Sequence, residues 1–267
     1  MTWGVADLAV SFGPIPALEG ITLEVPAGRV TAVVGGDGAG KSTLLRVMAG
    51  LVAPQRGTRR LPERARIGYL PTRAGGFRDL TVAENLEFVA DAARVPQARP
   101  RTDDLLERTG LAPFRRRLAR DLSGGMRQKL GVIMALLPSP AMLLLDEPTT
   151  GIDPVSRSDL WRLIARAAAR ETAVLVSSAY LDEAERAAWV LVLHEGRQLV
   201  AGPPAAVVAS MPGAVVEVDA PADPGRAWRR GPRWREWRPQ GDPAAVDPGL
   251  EDVVIVASLA AEAGRGA

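Results

Sequence analysis

The segment from Gly35 to Thr43 combines residue types that can hold a chain of phosphates. It matches the phosphate-binding pattern of a glycine, four residues, and then glycine, lysine and serine. Glycines let the backbone curl so that successive N–H groups point at phosphate oxygens. Lys41 can reach the terminal phosphates, and the Ser42 hydroxyl can bind Mg²⁺. The alternative is a glycine-rich turn without a ligand, but strand, loop, lysine, hydroxyl and helix all occur here in order. The candidate nucleotide-binding residues are Gly35, Gly36, Asp37, Gly38, Ala39, Gly40, Lys41, Ser42 and Thr43.

Two acids follow an apolar run, Met142–Leu145, that is typical of a buried strand. Strands of an open α/β sheet carry their carboxyl-terminal residues to the edge where ligands bind. At that edge Asp146 can bind Mg²⁺, and Glu147 can orient a water for attack on a terminal phosphate. The alternative is an ordinary strand that ends in a solvated acidic turn.

A third segment, residues 122–128, reads Leu-Ser-Gly-Gly-Met-Arg-Gln. Ser123, Gly124 and Gly125 lie where a helix is predicted to begin, so their N–H groups and the hydroxyl could face an anion. The alternative is a serine that caps a helix before a glycine turn.

The elements around these segments alternate between strands and helices. Strands are predicted at 5–12, 20–34, 66–71, 141–145 and 173–177, with a hairpin over 189–201 that turns at Glu195-Gly196. Helices are predicted after Lys41, from the capping box at Thr81, over 130–137, over 155–170 and over 181–188. The alternation predicts a largely parallel sheet that is covered on both faces.

Composition excludes several classes of function. The chain has 267 residues, no cysteine and one histidine, His194, so disulfides, thiolate catalysis and a multi-histidine metal centre are excluded. Only two of the 33 basic residues are lysines, so the pI near 9.5 is partly an effect of arginine content and does not by itself indicate nucleic-acid binding. No apolar run approaches the roughly 20 residues of a membrane helix, and no signal peptide is apparent.

With these three motifs in this order, the chain resembles the nucleotide-binding subunits of ABC transporters over residues 3–202. The resemblance implies a P-loop NTPase of the ABC type: a mostly parallel α/β core sheet, an antiparallel β subdomain, and a helical subdomain at about 73–138. Residues 1–202 form the predicted ATPase domain. Because the composition shifts after Gly202, residues 203–267 are expected to form a small β-rich appendage.

The family likeness also implies ligands and partners. ATP and Mg²⁺ are the expected cofactors. The expected partners are a separate transmembrane permease and a second ABC ATPase domain, in a homo- or heterodimer, and no nucleic acid is expected. The subunit would lie on the cytoplasmic face of the membrane through the permease, with the helical subdomain docked on it. Residues 248–254 resemble the closing segment of ABC-2-type exporter ATPases.

Individual residues take implied roles from the same likeness. In the family, the segment that corresponds to Ser123, Gly124, Gly125 and Gln128 is the signature that closes over the ATP of the partner subunit. Phe12 resembles the aromatic residue that stacks on adenine, with a core phenylalanine as the alternative. Asp153 resembles a residue of the loop that faces the partner across the dimer.

Two positions depart from the family pattern. Thr72 stands where a glutamine usually contacts Mg²⁺ and the attacking water, and Ala179 stands where a histidine usually contacts the γ-phosphate. His194 lies too far along the chain to replace that histidine. Because the loss of one such positioned group costs about 10²–10³ in rate, the chain's own site is expected to hydrolyse ATP slowly while its signature completes a partner's site. Asp37 also puts a negative charge near the phosphates.

The last 65 residues allow two interpretations. Tryptophan and arginine alternate over 227–238, which would suit nucleic acid or anionic lipid, or a small β subdomain with Trp facing inward and Arg facing water. Strands are expected at 214–219, about 226–238 and 253–256. Two other functions stay open: a soluble ABC ATPase outside transport, and a regulatory subunit that binds ATP without hydrolysis.

Overall fold

The computed structural model describes residues 1–72 and 76–265 of the chain, with side chains up to 262. The strands are β1 (Thr2–Phe12), β2 (Ile15–Pro26), β3 (Val30–Val34), β4 (Arg56–Arg60), β5 (Ile67–Leu70), β6 (Met142–Asp146), β7 (Ala173–Ser178), β8 (Trp189–His194), β9 (Arg197–Gly202), β10 (Ala214–Val218), β11 (Ala227–Arg230) and β12 (Arg233–Arg238). The helices are α1 (Lys41–Met48), α2 (Val82–Ala92), α3 (Ala98–Thr109), α4 (Gly124–Leu136), α5 (Pro154–Ala168), α6 (Leu181–Ala184), α7 (Pro204–Ala209) and α8 (Leu250–Arg265).

One large mixed sheet runs through the core. Within the described ranges it has nine strands in the order β4-β1-β2-β9-β8-β3-β7-β6-β5. The pairs β8/β3, β3/β7, β7/β6 and β6/β5 are parallel, as the alternation of strands and helices predicts. Their register places Val34 opposite Ser178 and Asp146 opposite Ser177. The carboxyl ends of β3, β6 and β7 therefore meet at one edge.

The antiparallel part of this sheet consists of β1, β2 and β4 on one side and the β8–β9 hairpin. The hairpin turns at Glu195-Gly196, where φ is 47° and 75°. Two successive residues in the left-handed region are typical of a tight hairpin turn. The predicted hairpin is confirmed.

Helices cover both faces of the parallel strands. Every residue of β3, β6 and β7 is buried, so neither face has a polar stripe. Leu44 of α1 belongs to the buried cluster on one side, together with Leu144 of β6. Ile133 of α4 and Ile164 of α5 belong to the cluster on the other side.

A helical segment lies between β5 and β6. α2 begins at the predicted capping box, in which the Thr81 hydroxyl accepts from the Glu84 backbone and the Glu84 carboxylate accepts from the Thr81 backbone. Leu86 and Ala90 of α2 are buried. The predicted glycine-rich loop at 74–76, and with it the start of the helical subdomain near 73, lies largely outside the described residues.

The C-terminal segment forms a second sheet in the described part of the chain, with three antiparallel strands in the order β10-β12-β11. Trp237 is buried there and Trp228 packs against the same small cluster, while Arg229 and Arg233 are exposed. Trp228, Trp237, Arg229 and Arg233 agree with the interpretation of Trp inward and Arg outward, but Arg235 does not, because it is buried and pairs with Asp252 of α8. The strand expected at 253–256 is wrong, because these residues lie in α8, whose apolar side packs against the small sheet. A run of β-branched residues suits a strand or a buried helix equally well, and packing decides between them.

Among the described helices, none is long and apolar enough to cross a membrane.

Candidate functional site

The loop between β3 and α1 follows the path that its glycines permit. Gly35 has φ 153°, and a Cβ there would lie 2.2 Å from the Leu193 carbonyl oxygen. Gly40, at φ 102°, is the N-cap of α1, and no side chain caps this helix end. The first N–H groups of α1 are thus left for an anion, in the field of the helix dipole.

Lys41 is held over this loop. Its Nζ donates to the carbonyl oxygens of Gly35 and Gly36 at 2.7 and 3.1 Å, and lies 3.5 Å from Oε1 of Glu147. Its side chain is only 5% exposed. A buried ammonium group at the mouth of a backbone anion site favours a ligand with several negative charges.

Asp146 lies at the centre of a hydroxyl cluster. Its Oδ1 accepts from Ser177 at 2.7 Å and from Ser42 at 3.1 Å, and its Oδ2 accepts from Thr72 at 2.8 Å. The residue is 1% exposed. The four residues are far apart in the sequence. The parallel pairing of β3, β7, β6 and β5 brings them to one edge of the sheet.

Glu147 takes a strained backbone conformation beside Asp146. Its φ is 50°, and its N–H group donates to Oγ of Ser177 at 2.9 Å. Its carboxylate reaches Lys41 and accepts from the Thr150 hydroxyl at 3.3 Å. A positive φ in a residue that is not glycine costs about 1–3 kcal/mol, which is typical of positions whose side chain must be aimed.

Sequence reasoning missed Ser177. This buried serine donates to Asp146 and accepts from Glu147, so it links the two acids. The available signal was a polar Ser-Ser pair at the end of an otherwise apolar strand.

Sequence reasoning also missed a buried carboxylate near Ala179. Glu183 of α6 is fully buried, and its Oε2 accepts from Thr149 at 2.8 Å and from Ser178 at 2.6 Å. Arg157 of α5 lies 3.6 Å from Oε1 of Glu183. The network fixes the segment that follows β7, where Ala179 itself is exposed. Ala179 therefore lies at the same sheet edge as the phosphate loop, with a methyl group and no polar atom.

Ser123 begins α4. Its Oγ accepts from the Met126 N–H at 3.2 Å, so Ser123 is the N-cap of this helix. Ser123 and Gly124 are exposed, whereas Gly125 is buried and a Cβ there would lie 3.2 Å from Oγ of Ser156. The first turn of α4 thus presents a hydroxyl and N–H groups to the surface. Gln128 is half-buried, and its Oε1 has no hydrogen-bond partner in the described residues.

The last two sequence-predicted residues have different environments. Asp153 caps α5, and hydrogen bonds from the backbone of Ser156 and Val155 lower the pKa of its carboxyl group. Phe12, at the end of β1, is 50% exposed, which excludes the core-phenylalanine alternative. The one histidine, His194, ends β8 with Nε2 3.9 Å from Oε1 of Glu262.

A buried parallel strand, an anion-binding loop with its lysine, and an acid pair on a neighbouring strand define a P-loop nucleotide-binding domain. The profile of the ABC transporter family matches residues 18–150. The multidrug ABC transporter ATP-binding protein YbhF of Escherichia coli K12, itself described as probable, is 44% identical over 210 residues, which are 74% of this chain and 36% of YbhF. The Nod factor export ATP-binding protein I of Paraburkholderia xenovorans is 36% identical over 79% of this chain and 74% of its own length. The chain belongs to the ABC transporter family, as one of its ATP-binding domains.

Solved structures agree with this assignment. The ATP-binding subunit of an ABC transporter is 28% identical, with a TM-score of 0.72 over 78% of this chain and 92% of that subunit. The cbiO1 protein of Clostridium perfringens, part of the transporter complex cbiONQ, is 27% identical with a TM-score of 0.69. The match covers about a third of YbhF and 60% of the daunorubicin/doxorubicin resistance protein DrrA of Streptomyces peucetius.

Proposed function

We propose that the chain binds and hydrolyses Mg-ATP and powers an exporter whose membrane-spanning part is a separate subunit. The names of YbhF, DrrA and the Nod factor protein, which refer to drug resistance or export, support export rather than import. A relative of 36% identity, CysA of Mycobacterium bovis, is named for sulfate and thiosulfate import.

The observation that supports this function best is the convergence of Lys41, Ser42, Asp146 and Glu147 at one sheet edge. The loop N–H groups and Lys41 would hold the phosphates. Glu147, aimed by its backbone and by Thr150, would orient the attacking water and accept its proton. Phe12 is placed on the surface, where it could stack on the adenine ring.

The oxygen donors around Asp146 fit a magnesium ion. Ser42, Thr72 and Asp146 offer two hydroxyls and a carboxylate, the hard ligands that Mg²⁺ prefers. In the described residues no group of three or more His, Cys, Asp or Glu side chains could hold a metal, so the remaining ligands would be phosphate oxygens and water. When bound, the ion would neutralise charge on the phosphates.

The exposed start of α4 supports a role across a dimer. Ser123 and Gly124 would close over ATP held by a second ATPase domain, with Gln128 and Asp153 near the same interface. Clamping and reopening of the pair would move the helical segment at about 73–138, and this segment would pass the motion to a permease at the cytoplasmic face of the membrane.

The chain's own site would hydrolyse ATP slowly. Thr72 places its hydroxyl on Asp146 and is too short to reach a water beyond the metal, and Ala179 gives no hydrogen bond to the γ-phosphate. The loss of one positioned group costs about 10²–10³ in rate, so the pair of changes would leave a site that binds ATP better than it turns it over.

Steady-state ATPase assays test this proposal. The isolated chain should show slow turnover that Glu147→Gln abolishes. A candidate partner ATPase that carries the glutamine and the histidine should turn over faster when the chain is added, and Ser123→Arg in the chain should remove that gain. Fast turnover by the isolated chain that Glu147→Gln leaves unchanged would contradict the proposal. Binding of ATP without any turnover, alone or with a partner, would instead support a regulatory subunit.

A further inference from the structure

A cavity lies at one end of the parallel strands, and the phosphate loop lies at the other end. The cavity has a volume of about 480 Å³ and is lined by residues that precede β5, β6 and β7, among them Arg66, Ala141 and Thr172. Since β6 spans five residues, the cavity is about 13 Å from Asp146 along that strand. It is therefore separate from the ATP site. Its volume is within the usual range for small-molecule sites.

Arginines surround this cavity in excess of acids. Its lining includes Arg66, Arg101, Arg108, Arg166 and Arg170, against only two carboxylates, Asp104 and Glu171. Asp104 is already engaged, because its Oδ1 accepts from Nε of Arg108 at 2.6 Å. Across residues 1–72 and 76–265, the other four arginines form no salt bridge. The cavity lining therefore carries more positive than negative charge, and four of its five arginines have no carboxylate at salt-bridge distance among the described residues.

Arg101 shows this lack of a partner most clearly. Its Nη2 donates to the Leu136 carbonyl oxygen at 2.8 Å, which directs the guanidinium into the cavity wall. Its Nε is buried and has no hydrogen-bond partner among the described residues. Burial and the charge of Arg170 lower the pKa of Arg101, and the charge of Asp104 offsets only part of this lowering. The repulsion between these two guanidinium groups and the unsatisfied Nε–H of Arg101 are both unfavourable. A bound anion would relieve both.

The rest of the lining suits an organic group attached to that anion. Trp3 is half-buried, and Leu105, Leu136 and Leu163 supply apolar surface. Guanidinium groups are planar forks that match phosphate oxygens in pairs. We propose that this cavity binds a phosphate ester, either a free organic phosphate or the headgroup of an anionic lipid.

Calorimetric titration of the full chain with inorganic pyrophosphate tests the site. Each titration is run in metal-free buffer with and without Lys41→Ala, which weakens any binding of pyrophosphate at the phosphate loop and so separates the two sites. The wild type should bind pyrophosphate, and Arg101→Gln and Arg170→Gln should each bind it about tenfold or more weakly, because each removes charged hydrogen bonds. Arg60→Gln is the matched control, since Arg60 is exposed on β4 and does not line the cavity. Equal affinities in all four proteins, or no binding by the wild type, would exclude a free phosphate as the ligand.

A melting experiment shows whether the variants are folded. Without pyrophosphate, the Tm of Arg170→Gln should equal or exceed that of the wild type, because a repulsion has been removed. With pyrophosphate, the wild type should gain more in Tm than this variant, since a ligand stabilises the state that binds it.

Co-sedimentation with vesicles of phosphatidylglycerol and phosphatidylcholine distinguishes the two sources of phosphate. Sedimentation that Arg101→Gln and Arg170→Gln weaken and Arg60→Gln does not would assign a lipid headgroup. Pyrophosphate binding without sedimentation would assign a free phosphate. Failure in both arms would refute the site and would leave the ATP site at Lys41 unaffected.

Discussion

Ser177→Ala is the substitution that tests most sharply how the two acids are held. The hydroxyl of Ser177 is fully buried, donates to Oδ1 of Asp146 at 2.7 Å and accepts from the Glu147 N–H at 2.9 Å. Alanine removes both bonds and leaves the backbone in place. The Glu147 N–H keeps one weaker acceptor, the Ser177 carbonyl oxygen at 3.2 Å.

The expected cost follows from these contacts. A hydrogen bond to a charged group contributes about 1.5–3 kcal/mol, and the bond from Glu147 is partly replaced. We therefore expect Ser177→Ala to lower the free energy of unfolding by about 2–3 kcal/mol, a large fraction of the total for a typical domain. Since the acid pair loses its alignment, ATP turnover and the apparent affinity for Mg²⁺ should also fall.

Thr31→Val is the matched control. Thr31 is fully buried in β3 of the same sheet, but its hydroxyl has no hydrogen-bond partner in the described residues. Replacing that hydroxyl by a methyl group should leave the stability unchanged or raise it. Urea unfolding followed by circular dichroism measures both variants. A Ser177→Ala midpoint that coincides with that of Thr31→Val would refute the reasoning.

Three further predictions concern other parts of the chain. Ala179→His should raise the ATP turnover of the isolated chain about tenfold or more, and Ala179→Phe, of similar size but without a donor, should not. Asp252 is fully buried and pairs with the buried Arg235, so Asp252→Ala should lower the free energy of unfolding in urea by about 3–5 kcal/mol. Glu251 is exposed on the same helix, so Glu251→Ala should lower it little. Hydrogen bonds from the first turn of α5 hold the pKa of Asp153 below its ordinary range, so its stabilising contribution is present above about pH 4 and is lost as the pH falls through the folded-state pKa. The stability difference between the wild type and Asp153→Asn, a cap that does not titrate, should therefore be constant above about pH 4 and shrink as the pH falls below it.

The parts of the site that the sequence revealed are those encoded locally. A buried strand, glycines, a lysine and a helix follow one another from Val30 to Met48, so their pattern predicts their geometry. The same holds for Asp146 and Glu147, which end a strand, and for the capping box at Thr81.

The parts that it did not reveal depend on contacts between distant segments. Thr149 and Glu183 are 34 residues apart and are joined by a hydrogen bond that depends on the tertiary placement of α6. Ser177 contacts the two acids because β6 and β7 are in one particular register, which no local pattern specifies. The cavity beside Arg101 likewise draws its arginines from three separate stretches of the chain.

The affinity for Mg-ATP tests the central claim most directly, namely that the loop around Lys41 holds a triphosphate. Calorimetric titration in the Glu147→Gln background keeps the nucleotide intact. The account predicts saturable binding that Lys41→Ala weakens about tenfold or more, because the variant lacks the ammonium group that donates charged hydrogen bonds to the phosphates. No binding by the folded chain, or equal affinity with and without the Lys41 side chain, would contradict it.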